Sequence, residues 1–175
     1  MDNKTIYFAK THENAIIPSK REEDGAFDIY SCFDENFYIL KPHQTRLIPT
    51  GISSAFSTDY VLIIKERGST GSRGMGVRAG VIDSGYRGQW FVAITNHNDK
   101  PLVIAKENVS EKEYCAQLTG SRDITADHIV YPYEKAIAQC VLVEIPKLKI
   151  KEITYDKLMQ FESERGTGAL GSSKK

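Results

Sequence analysis

The sequence is poor in features that mark several large classes of protein. Its 175 residues hold three cysteines, Cys32, Cys115 and Cys140, widely spaced and without a CxxC pair. Neither a disulfide framework nor a zinc ribbon is expected, and the thiols are read as reduced. Four histidines, His12, His43, His97 and His128, share no ligand spacing such as HExxH, and each is expected at the surface. Charge is balanced, 23 Lys plus Arg against 23 Asp plus Glu. That balance creates no field for a polyanion, so neither nucleic acid nor a membrane surface is an expected partner. Long apolar runs are missing, and the opening stretch MDNKTIYFAK is polar. Neither a transmembrane helix nor a signal peptide is expected, and the expected location is cytoplasmic.

What is present reads as strands. At this length one domain with a real core is expected. Ile6–Ala9, Arg46–Ile48, Tyr60–Lys65, Gln89–Asn96, Leu102–Ala105 and Ile137–Ile145 are short, rich in β-branched and aromatic residues, and bounded by Gly, Pro, Asn or Asp. Apolar residues fill both faces of Trp90-Phe91-Val92-Ala93-Ile94, which suits a strand covered on both sides. Many short strands without helical periodicity between them imply an all-β sandwich or barrel. Short helices are expected near Thr154–Phe161 and Glu111–Leu118. Residues 97–132 form a long polar excursion within a domain spanning 1–150. Residues 151–175 form a linker and a Gly- and Ser-rich tail that reads as flexible.

Four stretches carry chemistry: DGAFDIYS (24–31), KERGSTGSRG (65–74), AGVIDSGYRG (79–88) and ERGTGALGSS (164–173). Gly and Ser leave backbone N–H groups open, small hydroxyls add donors, and Arg supplies a forked cation; together they suit phosphate oxygens. Neither Gly-rich stretch has the GxxxxGK pattern followed by Ser or Thr, which excludes a P-loop. In the third stretch a turn needs only Asp83 and Gly85. It explains neither Tyr86 nor Arg87.

In this order the stretches resemble the motifs of the trimeric dUTPase family: DGAFDIYS the first, RGSTGSRG the second, GVIDSGYRG the third, KAIAQ the fourth and RGTGALGSS the fifth. The resemblance spans Asp24 to Ser173. It departs from the family pattern at Phe27, where Tyr is usual, at Gly68, which follows Arg67 in place of Ser, at Ala136, which replaces an Arg, and at Leu170, where an aromatic is common.

The resemblance implies a β-clip or jelly-roll-type barrel, a homotrimer with a flexible C-terminal tail, and Mg2+-dependent hydrolysis of dUTP to dUMP and pyrophosphate. That reaction limits uracil in DNA and supplies dUMP for dTMP synthesis. By the same resemblance Asp83 activates the water that attacks the α-phosphorus, and Asp28 holds Mg2+ through water. Tyr86 lies against the deoxyribose. Backbone groups from Val77 through Ala79 and Gly80, with Ile82 beside them, read the uracil edge. Arg67, Gly68, Ser69, Gln139, Arg165, Ser172 and Ser173 grip the phosphates, Leu170 and Gly171 cover the base, and Arg87 is structural or interfacial. The tail would close over a neighbouring subunit's site.

Two other readings stay open. A dCTP deaminase, including its bifunctional form, resembles the chain through GVIDSGYRG, but Ala93 stands where that family has a catalytic Glu. A zinc deaminase is excluded because no HxE…PCxxC pattern exists. The second is a non-catalytic β-trimer that binds nucleotide or a protein regulator through residues 97–132.

Overall fold

The computed structural model describes residues 4–121 and 126–168. These residues build four small sheets and three short helices. β1 (Tyr7–Lys10) pairs with β5 (Ile52–Ala55) in a two-stranded ribbon. β4 (Thr45–Pro49), β9 (Phe91–Asn96) and β7 (Met75–Arg78) form a second, antiparallel sheet with β9 in the middle. A third runs β11 (Ile129–Pro132), β10 (Leu102–Ala105), β3 (Phe37–Leu40); β10 is parallel to β11 and antiparallel to β3. The fourth runs β2 (Phe27–Ile29), β12 (Ala138–Glu144), β6 (Tyr60–Lys65), β8 (Val81–Ile82), antiparallel throughout. The helices are α1 (Gly68–Gly71), α2 (Glu111–Thr119) and α3 (Tyr155–Leu158). Among the described residues no helix is long and apolar enough to cross a membrane.

The chain divides into two units, Met1–Ile145 and Pro146–Lys175. In the first, Ile48, Leu62, Ile64, Trp90, Ile94, Leu102, Ile104, Tyr131 and Ile137 are buried in one cluster that all four sheets supply. β9 is paired on both edges by β4 and β7 and is buried on both faces from Val92 onward, while Phe91 at its start stays exposed. At its far end buried Asn96 spreads one side-chain amide over the carbonyls of Leu40, Lys41 and Lys100. That amide ties the ends of two sheets together without an unmet buried donor.

β10 uses its two faces differently, as period-two side chains allow. Leu102 and Ile104 enter the main cluster, whereas Val103 and Ala105 join a second one with Tyr114 and Cys115 of α2. α2 starts at Ser110, whose side chain and that of Glu113 form a capping box, and stops at Gly120 in the left-handed region, φ 76°. The stretch 97–132 thus holds two strands of the third sheet and a helix lying on that sheet's other face.

Cys32, Cys115 and Cys140 are unpaired and buried. Burial pushes the Cys140 thiol up to about 12, so it stays protonated at neutral pH. One histidine departs from the surface reading: the side chain of His128 is only 7% exposed. No sequence spacing signals this, because the residues around it arrive from α2.

In the second unit α3 begins at Thr154, whose side-chain oxygen accepts the Lys157 N–H. Leu148, Ile150, Tyr155, Leu158 and Phe161 remain exposed in the single chain.

Candidate active site

The first cluster of expected site residues forms around β2. Asp28 lies within β2, not just before it, and pairs across with Gln139 of β12, which in turn pairs with Lys65 at the end of β6. The chain then turns through Arg67 into α1. Gly, Ser and Thr are weak helix formers. This turn is held instead by Thr70, fully buried, whose hydroxyl accepts the Arg67 N–H at 2.9 Å and donates to the Arg67 carbonyl at 3.1 Å. Arg67 Nε reaches Asp28 Oδ1 at 2.8 Å, and Arg67 Nη1 donates to the Ala136 carbonyl at 3.4 Å and to Ser69 Oγ at 3.5 Å. Gln139 Nε2 donates to the Glu66 carbonyl at 2.7 Å. An open cavity of about 960 Å3 adjoins these residues, lined by Asp28, Arg67, Gly68, Ser69 and Gln139 and also by Lys20 and Arg21.

Lys20 and Arg21 escape sequence reasoning because they belong to no motif. Ser19 bridges to Asp28 by backbone pairing, and that brings the next two cations to the rim. Arg21 is held there by a two-pronged contact to Asp24, both bonds 2.9 Å.

Gly68 has no neighbour within 4 Å of where a Cβ would sit. A side chain fits there without strain. Gly68→Ser, which restores a hydroxyl beside the cavity, is expected to fold normally and to lower KM for the nucleotide by a few-fold, about one added hydrogen bond. Steady-state kinetics at fixed Mg2+ check it.

The second cluster forms on the turn after β8. The Tyr86 N–H donates to the Asp83 carbonyl at 3.0 Å, closing the bend. Tyr86 then folds back, its hydroxyl donating to the Gln89 carbonyl at 3.0 Å. This is possible only because Gly88 has no side chain: a Cβ there would stand 2.4 Å from the Tyr86 hydroxyl. Arg87 braces the bend, with Nη1 donating to the carbonyls of Ser84 at 2.6 Å, Tyr86 at 3.1 Å and Ser54 at 3.3 Å. Asp83 is left exposed, and no hydrogen bond or ion pair among the described residues engages its carboxylate. It borders a hollow of about 230 Å3 with Val81, Ile82, Tyr86, Gln89 and Phe91. Gln89 and Phe91 are further residues that the motif reading passes over; their role follows from the Tyr86 ring folding toward them.

Before that bend the backbone is tightly held. Ala79 has φ 48°, and Gly80 runs so close to β6 that a Cβ would lie 2.3 Å from the Ile64 carbonyl oxygen. Gly80→Ala must push the two strands apart; we expect a stability loss of about 1–3 kcal/mol, seen as a lower thermal midpoint at fixed chain concentration. The Gly80 carbonyl accepts the Ile64 N–H at 2.6 Å. The Val77 N–H donates to Glu66 Oε1 at 2.7 Å, which holds the Glu66 carboxyl below its ordinary range. The Ile82 side chain is buried in the core, so only its backbone can face a ligand.

The two clusters lie apart in one chain. β2 and β8 are opposite edges of the four-stranded sheet. Asp28 is level with Lys65 of β6, while Asp83 follows Ile82, which is opposite Leu62. Three inter-strand steps and about four residues along the strand separate the two carboxylates by roughly 20 Å.

In the second unit Arg165 is exposed, and its Nε donates to the Gly168 carbonyl at 3.0 Å. The expected contacts of Leu170, Gly171, Ser172 and Ser173 lie outside the described residues.

Known proteins resemble this chain. A family model described as dUTPase matches residues 12–109, just over half of the 175 residues. The deoxyuridine 5'-triphosphate nucleotidohydrolase of Nautilia profundicola is 29% identical over 95% of this chain and 96% of its own. That of Clostridium tetani is 28% identical over the full length of both. Among solved structures, the dUTPase of Staphylococcus bacteriophage 80alpha with dUPNHPP superimposes with a TM-score of 0.74 at 22% identity, covering 97% of this chain and 98% of that one. The all-β fold expected from the sequence is therefore that of known dUTPases. By the family model that matches residues 12–109, with the all-β fold and relatives along the whole length in agreement, the chain belongs to the dUTPase family.

Proposed function

We propose that the chain is a dUTP diphosphatase that hydrolyses dUTP to dUMP and pyrophosphate, limiting uracil in DNA and supplying dUMP for dTMP synthesis. The observation that carries this reading is the placement of Asp83: an exposed carboxylate on a bend braced from three sides by Arg87, beside a hollow shaped by the Tyr86 ring.

The uracil and deoxyribose sit in that hollow, with Tyr86 against the sugar where a 2′-hydroxyl would collide. The α-phosphorus then faces Asp83, which orients a water and takes its proton as the oxygen attacks; pyrophosphate leaves in line. Arg67, Ser69 and the cations of the 20–21 rim hold the departing phosphates.

The donor set around Asp28 fits Mg2+. Arg67 takes one carboxylate oxygen, Asp28 lines an open cavity, and oxygen ligation through retained water needs no closer cage. Bound there, Mg2+ supplies neutralisation of the phosphate charge.

The roughly 20 Å between Asp83 and Asp28 supports a joint working site. The Asp83 edge of one chain meets the Arg67 edge of a neighbour, a head-to-tail contact that closes into a ring; the family resemblance makes that ring a homotrimer. Exposed Val81 and Phe91 beside the bend, and Leu148, Ile150 and Phe161 in the second unit, are apolar surface that such an assembly covers. Arg165 and the residues after it close the site.

The deaminase reading is disfavoured by Ala93, a buried methyl between Leu47 and Arg78 that can move no proton. A regulator-binding role for 97–132 gains no support from α2, which already seals the Val103–Ala105 face.

Incubation with dUTP, dCTP, dTTP and UTP, with Mg2+ or with chelator, tests the proposal. Pyrophosphate from dUTP alone, lost with chelator, is expected. Comparable release from all four, or ammonia from dCTP, overturns it.

A further inference from the structure

Outside the nucleotide site, three side chains of different donor type converge. Glu111 and Cys115 lie on one face of α2, four residues apart. His128 enters from the residue before β11. One ligand atom from each, a carboxylate oxygen, the thiol sulfur and a ring nitrogen, lie within 4.8 Å of one another. Atoms sharing a tetrahedral Zn2+ stand about 3.5 Å apart, so small side-chain shifts complete the set.

The histidine is already oriented for ligation. Its Nδ1 contacts the Ala126 carbonyl. A carbonyl only accepts, so Nδ1 carries the proton, and in the neutral ring Nε2 presents its lone pair. That Nε2 is the atom turned toward Glu111, 3.8 Å away. A backbone carbonyl holding the far nitrogen is the usual outer support of a ligating imidazole. The Tyr114 ring packs edge-on at 5.0 Å and fixes the imidazole plane. Cys115 is 2% exposed and Glu111 is solvent-facing, so the cluster has a buried end and an end open to water, which can complete four-coordination.

We propose that Glu111, Cys115 and His128 form a transition-metal site of the Zn2+ type that ties α2 to the start of β11. The donors choose the metal: a soft thiolate with imidazole favours Zn2+ over Mg2+, which prefers oxygens alone. The site is thus chemically distinct from the Asp28 carboxylate. The ion ties the first half of α2 to the residue before β11, and this braces the second hydrophobic cluster against β10.

The full-length chain, stripped by chelator, is titrated with Zn2+ and separately with Co2+. Expected is one ion per chain, a thiolate-to-cobalt charge-transfer band, a thermal midpoint raised by Zn2+, and no displacement by excess Mg2+. Cys115→Ala and His128→Gln should each weaken Zn2+ binding by more than the roughly 10- to 100-fold that an outer-shell change costs, while dUTP turnover stays at the wild-type level and certifies the fold. Absence of the charge-transfer band in the wild-type chain overturns the proposal whatever the variants do. So does Zn2+ binding that survives the double variant.

Discussion

Asp83→Asn is expected to bind dUTP within a few-fold of the wild-type chain and to lower kcat by about 10²–10⁴. The substitution keeps the shape of the side chain and removes its capacity to take a proton. The bend should survive. It is closed by the Tyr86 N–H on the backbone carbonyl of residue 83 and braced by Arg87 on three further carbonyls, none of which uses the Asp83 side chain. Asn is also favoured at turn positions. Binding of a non-hydrolysable dUTP analogue by calorimetry, beside single-turnover pyrophosphate release, separates the two quantities. A kcat within three-fold of wild type would mean that Asp83 only starts the bend; a matching loss of binding would mean that its charge holds the nucleotide.

The bend was legible in the sequence because its chemistry is local. Asp83, Tyr86, Arg87 and Gly88 act on each other within six residues, and the surplus of Tyr86 and Arg87 over what a turn needs has its cause in that spacing: one ring folds over Gly88, one guanidinium gathers two carbonyls of the bend. β6 and β10 were legible for a similar reason, being continuous β-branched runs. β5 (Ile52–Ala55) was not. Its buried Ser53 and Ser54 break the apolar signal, and Ser53 is satisfied by the Arg87 carbonyl 34 positions away. α1 was missed because its residues are poor helix formers held by one buried threonine. Lys20, Arg21 and the depressed Glu66 carboxyl escaped because strand order places them, and strand order is set by pairing between residues far apart in the chain. The separation of Asp28 from Asp83 belongs to the same category: both motifs can be read from the sequence, but their positions on opposite sheet edges cannot.

That separation gives the second large effect. Arg67→Ala should be nearly inactive by itself, since it removes the cation held 2.8 Å from Asp28 beside the open cavity proposed to take the phosphates. Asp83→Asn should be nearly inactive as well. If one nucleotide is served by the Asp83 edge of one chain and the Arg67 edge of the next, an Arg67→Ala chain still offers an intact Asp83 edge, and an Asp83→Asn chain still offers an intact Arg67 edge. Co-refolding the two in equal amounts then rebuilds intact sites wherever an Arg67→Ala chain presents its bend to an Asp83→Asn chain. With random assembly this occurs at about a quarter of the interfaces in a closed ring. Two preparations without useful turnover should therefore combine to give about a quarter of wild-type activity. The recovery should need refolding or prolonged exchange, because simple mixing leaves each ring uniform. A double variant carrying both lesions in one chain, mixed with wild type, sets the control: an intact site again needs two intact edges, and activity follows the square of the wild-type fraction. No recovery in the first mixture would overturn the joint site and place both motifs over one nucleotide within a single chain.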